Sequence, residues 1–325
     1  MNSRILGIGN ALVDILVKIN DESIYEKYGL KRGGMEMIDA DKKRIIHKDI
    51  KQLEQVVQCG GSTANTMLGL AKLGATAGYI GKIANDEAGM LFKNDMEKAG
   101  VTTHFLYSEV DTGIATTFIN PGGERTFATY LGAAATMLPR EMNVEIFKKY
   151  DIIHVEGYLI FNRALILEIC RLAKACGVKI SMDMASYNLV EQMRDLMGEL
   201  LRDYVDIIFA NEDEAQAFTG KQEHEAIEIL SEYCPVVVVK LGERGSIVKM
   251  DGVVTDIPAV TATCVDTTGA GDIFASGFLY GLMKQLPVQK IGEIASSLGA
   301  ESVQTIGAHL SDEQWDKVLG VVLRN

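Results

Sequence analysis

Val205-Asp206-Ile207-Ile208-Phe209-Ala210-Asn211-Glu212-Asp213-Glu214-Ala215-Gln216-Ala217-Phe218 carries a strand and a helix in one short stretch. An apolar, β-branched run at 205–209 gives way at Asn211 to three acidic residues and an amphipathic segment at 212–218. Acidic side chains there complement the positive end of a helix dipole. The apolar run does not alternate with polar residues, so both faces of the strand call for cover, as in a parallel sheet between two helix layers. The unit recurs on either side: 152–155 precedes helical periodicity at 163–175, 179–182 precedes 189–201, and 236–239 and 260–265 lead on to 271–283. This alternation predicts an α/β fold, a three-layer α/β/α body around a mostly parallel central sheet.

Two segments, 11–38 and 113–131, are β-rich with no good intervening helix. Val13-Asp14-Ile15-Leu16-Val17, Met35-Glu36-Met37-Ile38, Thr116-Thr117-Phe118-Ile119 and 126–131 predict a separate small sheet. It would enter a single 1–325 domain as two insertions, at about 11–39 and 112–131. Gly33-Gly34 is read as a hinge between two of its strands, and Pro121-Gly122-Gly123 as a hairpin tip. The stretch 116–119 is apolar on both faces, which leaves both a monomer and a homodimer open.

The 325 residues carry a formal net charge of -12, which argues against a nucleic-acid partner. An acidic chain must hold an anionic ligand by local devices such as backbone N–H groups and helix N-termini. The five cysteines form no C-x-x-C pair, so a disulfide framework and a thiolate metal site are both poor readings. No signal-peptide pattern or membrane-length apolar run is seen, and a cytoplasmic location is expected.

The strongest chemical signal is Asp266-Thr267-Thr268-Gly269-Ala270-Gly271-Asp272, ahead of a helix of small residues. Gly269, Ala270 and Gly271 leave backbone N–H groups open at the positive end of a helix, a place for a phosphate that gains charge in a transition state. Asp272 lies in the first helical turn, positioned to accept a hydroxyl proton. A second signal is Gly60-Gly61-Ser62-Thr63-Ala64-Asn65: glycines allow close approach, Ser62 is a helix-cap residue, and Asn65 lies off the apolar stripe with a free amide. Asp14, a charge among Val13, Ile15, Leu16 and Val17, calls for a polar partner, and a polyhydroxy ligand would serve. Asn211 and Glu214 project from the carboxyl edge of the sheet, where Glu214 could organise water on a Mg²⁺. Lys240 and Gly242 end the next strand on the same edge. Gly7-Ile8-Gly9-Asn10-Ala11-Leu12 imitates a dinucleotide fingerprint, but Leu12 replaces the last glycine, so an oxidoreductase is the weakest reading. Walker A and protein-kinase loops are absent.

With these motifs in place, the sequence resembles the ribokinase/PfkB carbohydrate kinase family, and within it the adenosine kinase-like branch. Both signatures, Gly60-Gly61-Ser62-Thr63-Ala64-Asn65 through Gly89 and 266–272, occur in order, and the likeness spans essentially the whole chain. It implies a ribokinase-like kinase with a lid, ATP and Mg²⁺ as cofactors, and K⁺ as a possible activator. Asp272 would be the base and Gly269-Ala270-Gly271 the anion hole. Asn10, Asp14, Gly60, Gly61, Ser62 and Asn65 would bind substrate, with Arg125 closing from the lid. Asn211, Glu214, Lys240, Gly242 and Thr268 would serve ATP, and Asp266 and Thr268 would help hold a monovalent cation. The acceptor would be a nucleoside, with adenosine first; a sugar such as ribose or fructose is the alternative, and a non-catalytic nucleoside- or sugar-binding protein is the alternative of another class. Tyr158 and Phe161 are the aromatic residues available to stack on a base.

Overall fold

The computed structural model describes residues 3–323. A nine-stranded sheet occupies the middle of the body. From one edge its strands are Val253–Ile257, Ser246–Met250, Val236–Lys240, Ile207–Asn211, Lys179–Asp183, Ile152–Val155, Arg4–Ile8, Thr76–Ile80 and Thr102–Thr103. Ser246–Met250 runs antiparallel to both neighbours, and the other pairings are parallel.

Side chains that alternate along a strand enter different cores, which explains the unbroken apolar runs. Ile208 and Ala210 pack with Leu165, Ile169 and Val190 on one face. Ile207 and Phe209 pack with Met67, Phe278 and Ile291 on the other. Phe209 meets Phe278 edge to face at 5.4 Å between ring centroids. Burying each such side chain contributes about 1.5–3 kcal/mol. The helices Ser62–Lys72, Ala270–Met283 and Val288–Ser302 therefore cover one face, and Arg163–Cys176 and Tyr187–Asp203 the other.

The second sheet has five strands, ordered Met35–Met37, Arg125–Tyr130, Gly113–Ile119, Leu12–Lys18 and Gln55–Gly60. Gly113–Ile119, which contains the 116–119 stretch read as apolar on both faces, is wholly buried. It lies between Leu12–Lys18, in parallel, and Arg125–Tyr130, antiparallel, so both of its edges are taken within the chain.

Four local expectations need correction. The second sheet draws a further strand, Gln55–Gly60, from outside the two insertions; its polar Gln55 and Gln58 mask the pattern. A helix, Ser23–Tyr28, interrupts the first insertion, started by an Asp21 side chain that accepts from the Ser23 N–H at 2.9 Å and stopped by Gly29 at φ +56. Gly33-Gly34 consequently joins that helix to a strand rather than two strands, and the Gly33 N–H donates to Thr126 Oγ1 at 3.0 Å. Finally, 260–265 is not a strand. Val260 and Val265 are exposed there, and without a sheet partner their β propensity has nothing to act on.

Candidate active site

The site forms where the chain leaves Arg4–Ile8 and Ile152–Val155 at their carboxyl ends. Thr76–Ile80 follows on one side of Arg4–Ile8 and Ile152–Val155 lies on the other, so the strand order reverses here and the loops diverge. A crevice opens at such a point in an open α/β sheet.

Asp272 sits in the first turn of Ala270–Met283. Its Oδ1 accepts from Ser62 Oγ at 2.7 Å and its Oδ2 from Asn65 Nδ2 at 3.0 Å. Thr66 Oγ1 donates to the Asp272 carbonyl at 3.2 Å, so one face of Ser62–Lys72 grips this turn at three points. Ser62 is thus not the expected cap: Gly61 takes the N-cap position, and the hydroxyl is spent on Asp272. Burial pushes the Asp272 carboxyl up to about 6; Asn65, Ser62 and the Lys240 charge pull it back, and the charge of Asp183 adds to the rise.

Gly269 begins the helix at φ +73, a left-handed conformation that a side chain would strain. A Cβ there would also lie 2.3 Å from the Ala308 Cβ. Lys240 reaches the same place from its strand end: a Cβ on Gly271 would lie 2.9 Å from its Nζ. That ammonium donates to Asp183 Oδ2 at 3.0 Å. Burial opposes its charge, but Asp183 and Glu214 outweigh it and raise the Lys240 pKa. A cation and a helix N-terminus thus converge beside Asp272 in a strongly acidic chain.

Asp14 faces the site from the second sheet, where the missing Cβ of Gly60 makes room for it; a Cβ there would fall 2.2 Å from its carboxyl. Burial and the charge of Asp272 push Asp14 up to about 7, against the pull of Arg125. Arg125, from the same sheet, pairs with Asp266 Oδ2 at 2.5 Å and donates to Thr268 Oγ1 at 2.7 Å. Asp266 also accepts from the N–H groups of Thr268 and Gly307. The Asp266 carboxylate and the Thr268 hydroxyl are therefore engaged, and these two residues have backbone carbonyls left for a cation.

Asn211 and Glu214 form a reciprocal capping box: Glu214 accepts from the Asn211 N–H at 2.7 Å and from its Nδ2 at 2.9 Å, and Asn211 Oδ1 accepts from the Glu214 N–H at 2.8 Å. Burial and the Asp183 charge push Glu214 up to about 7. Gly242 starts the turn after Lys240 at φ +58. Among the described residues, no three His, Cys, Asp or Glu side chains converge to cage a metal.

Two members of the cluster escape the sequence reading. Glu156 is buried, accepts from Asn10 Nδ2 at 2.5 Å and from the Asn10 N–H at 3.1 Å, and is pushed by burial up to about 7. Asn10, itself buried, is therefore held by Glu156. Asp183, buried at the end of Lys179–Asp183, is the anchor of Lys240. Both terminate strands at the carboxyl edge, and the rule that singles out Asn211 would have found them. Of the two aromatics, Phe161 is exposed and Tyr158 is half-buried beside Ser186.

A model of the pfkB family carbohydrate kinases matches residues 26–315. An uncharacterized sugar kinase of Archaeoglobus fulgidus is 30% identical over 74% of this chain and 96% of its own length. An adenosine kinase of Saccharomyces cerevisiae is 27% identical over 97% and 98%. Among solved structures, adenosine kinase from Sinorhizobium meliloti is 31% identical with a TM-score of 0.88, covering 98% of this chain and 99% of that one. With the ribokinase-like body, both glycine motifs and this match across most of its length, the chain belongs to the pfkB family of carbohydrate kinases.

Proposed function

We propose that the protein transfers the γ-phosphoryl group of ATP to a hydroxymethyl group of a nucleoside, with adenosine the preferred acceptor. The observation that carries this reading is Asp272, held by Ser62 and Asn65 at a helix N-terminus that Lys240 also faces. Asp14 and Asn65 offer hydrogen bonds to ribose hydroxyls. Asp272 accepts the proton of the attacking hydroxyl, whose oxygen forms the new bond to the γ-phosphorus as the bond to the β-phosphate oxygen breaks, releasing ADP. Phosphoryl transfer asks for orientation more than for a strong base, which suits a carboxylate. The N–H groups of Gly269 and Gly271 and the Lys240 ammonium take up the growing charge; the Ala270 N–H, expected to be open as well, instead donates to the Thr267 carbonyl at 3.2 Å. The second sheet acts as the lid, with Arg125 linking it to the 266–268 turn. Glu214 would hold Mg²⁺ through water; when bound, that ion neutralises the β- and γ-phosphates. A K⁺ site would use the Asp266 and Thr268 carbonyls.

Adenosine is favoured by full-length similarity to adenosine kinases. Stacking of a base on an aromatic ring adds about 1–3 kcal/mol, roughly ten- to a hundredfold in preference. In an ADP-release panel with Mg²⁺ and K⁺, adenosine should exceed ribose and fructose in kcat/KM by that factor. A free sugar ahead by tenfold or more would move the assignment to the sugar kinases.

The base also has a pH signature. Asp272 must be ionised, so kcat/KM should fall about tenfold per pH unit below roughly 6. Ser62 and Asn65 hold it ionised, so Ser62→Ala should move this acid limb to higher pH, while turnover on the alkaline plateau changes less. An acid limb that stays in place in Ser62→Ala would remove Asp272 as the group that titrates.

A further inference from the structure

Ser62–Lys72 supplies all three side chains that grip the Asp272 turn, yet its first turn has no side-chain cap of its own. Gly61 at the N-cap position has no side chain to offer, and the Ser62 hydroxyl is spent on Asp272. The Asn65 N–H reaches the Gly61 carbonyl at 3.0 Å, so the N–H groups of residues 62–64 are the ones left without a helical partner. A loose first turn would let Ser62 and Asn65 drift from the carboxylate they hold.

Glu156 meets that turn from a different strand end. It follows Ile152–Val155 and is 3% exposed. Both of its oxygens accept from Asn10, one from the backbone N–H and the other from Nδ2. The Thr63 backbone N–H donates to the same carboxylate. Gly9 shows how closely these parts are drawn together: a Cβ there would lie 2.5 Å from Glu156 Oε2 and 2.9 Å from the Thr63 Cβ. One side chain thus serves two donors from the turn after Arg4–Ile8 and one from the start of the helix. A carboxylate, acceptor-only with two oxygens, suits that task, and its charge is favoured at a helix N-terminus. Burial, more than the charge of Asp272, opposes its ionisation, and the Asn10 and Thr63 donors counter both.

We propose that Glu156 is a positioning residue for phosphoryl transfer: it caps Ser62–Lys72 from outside, ties the helix to the Asn10 turn, and so fixes the hold of Ser62 and Asn65 on Asp272. The role rests on the reading of Asp272 as the base. Glu156 acts through the helix, with its oxygens taken by protein donors.

The test compares Glu156→Gln, Glu156→Leu and Asp272→Asn, alone and combined, in kinetics with ATP and the preferred acceptor of the ADP-release panel. Glu156→Gln is nearly isosteric but turns an NH₂ group toward donors, and kcat should fall about tenfold, the worth of one charge-assisted hydrogen bond. Glu156→Leu, with no acceptor left, should lose about 10²-fold, as a displacement of about 1 Å does. If the Leu variant does not fold, the Gln variant carries the comparison. KM for ATP and for the acceptor should each stay within about twofold, the pattern of a contact that matters in the transition state. In the Asp272→Asn background, Glu156→Gln should cost less than about twofold more, because residues that act as one unit are not additive. A residue that only stabilises the fold would keep its full factor there. Unchanged kcat in Glu156→Gln, a further tenfold loss on top of Asp272→Asn, or an effect confined to the acceptor KM would each overturn the positioning role and leave Asp272 as the base. An active Asp272→Asn beside an impaired Glu156→Gln would instead overturn the base reading, and the positioning role with it.

Discussion

Asp272→Asn should keep the fold and nucleotide binding and lose about 10²–10⁴-fold in turnover, the usual loss for a positioned base. At about 1.36 kcal/mol per decade this is roughly 3–5 kcal/mol of transition-state stabilisation. The substitution is nearly isosteric. It also removes a carboxyl that is out of its ordinary range when folded, so the thermal midpoint should not fall at neutral pH. Asp272→Ala should lose as much rate, but it also strands the Ser62 hydroxyl and the Asn65 amide, both of which donate to the carboxylate. Single-turnover rates at saturating ATP provide the measurement. A variant that keeps more than a tenth of wild-type turnover would show that Asp272 only shapes the turn.

Lys240→Met is the second large effect. Removing one preorganised charge from a transition state costs about 10²–10³-fold in kcat. The ammonium also balances Asp183 and Glu214, so its loss leaves buried carboxylates without a counter-charge. Glu214, already held up at about 7, should rise further. A carboxyl whose folded pKa is raised favours the folded state at acidic pH, and that contribution is lost as pH rises through the folded pKa. Lys240→Met should accordingly lose more stability at pH 8 than at pH 6. The double variant Lys240→Met/Asp183→Asn separates the two roles, because it should regain stability without regaining turnover. Full turnover in either variant would leave Lys240 a purely structural counter-ion.

The parallel body was legible because its signal is local: each strand is an unbroken apolar run and each helix begins at a polar break, as at Asn211. The 266–272 turn was legible for the same reason, since glycine spacing and an acidic first turn lie within one helix start. What escaped depends on residues far apart in the chain. Glu156 and Asp183 look ordinary until two parallel strands bring them beside Asn10 and Lys240. Ser62 looked like a cap, because a side chain that donates to Asp272 across the fold leaves no mark in its neighbours. Gln55–Gly60 was missed because an edge strand can be polar on its open side.

The second sheet pairs Leu12–Lys18 with Gly113–Ile119, segments separated by roughly a hundred residues. During synthesis the first strand leaves the ribosome about 5–20 s before its neighbour exists, at elongation rates of 5–20 residues per second. Gln55–Gly60 is made earlier and can cover one edge, but for that interval Leu12-Val13-Asp14-Ile15-Leu16-Val17 is an apolar, β-prone segment whose other edge stays open, the kind that recruits copies of itself. Asp14 is its one charge. In the unfinished chain it is solvated and ionised, and it interrupts an otherwise continuous sticky run, as gatekeeper residues do. Asp14→Val would then lower the yield of soluble newly made chain even where refolding of the finished protein is unaffected, a penalty that appears during translation.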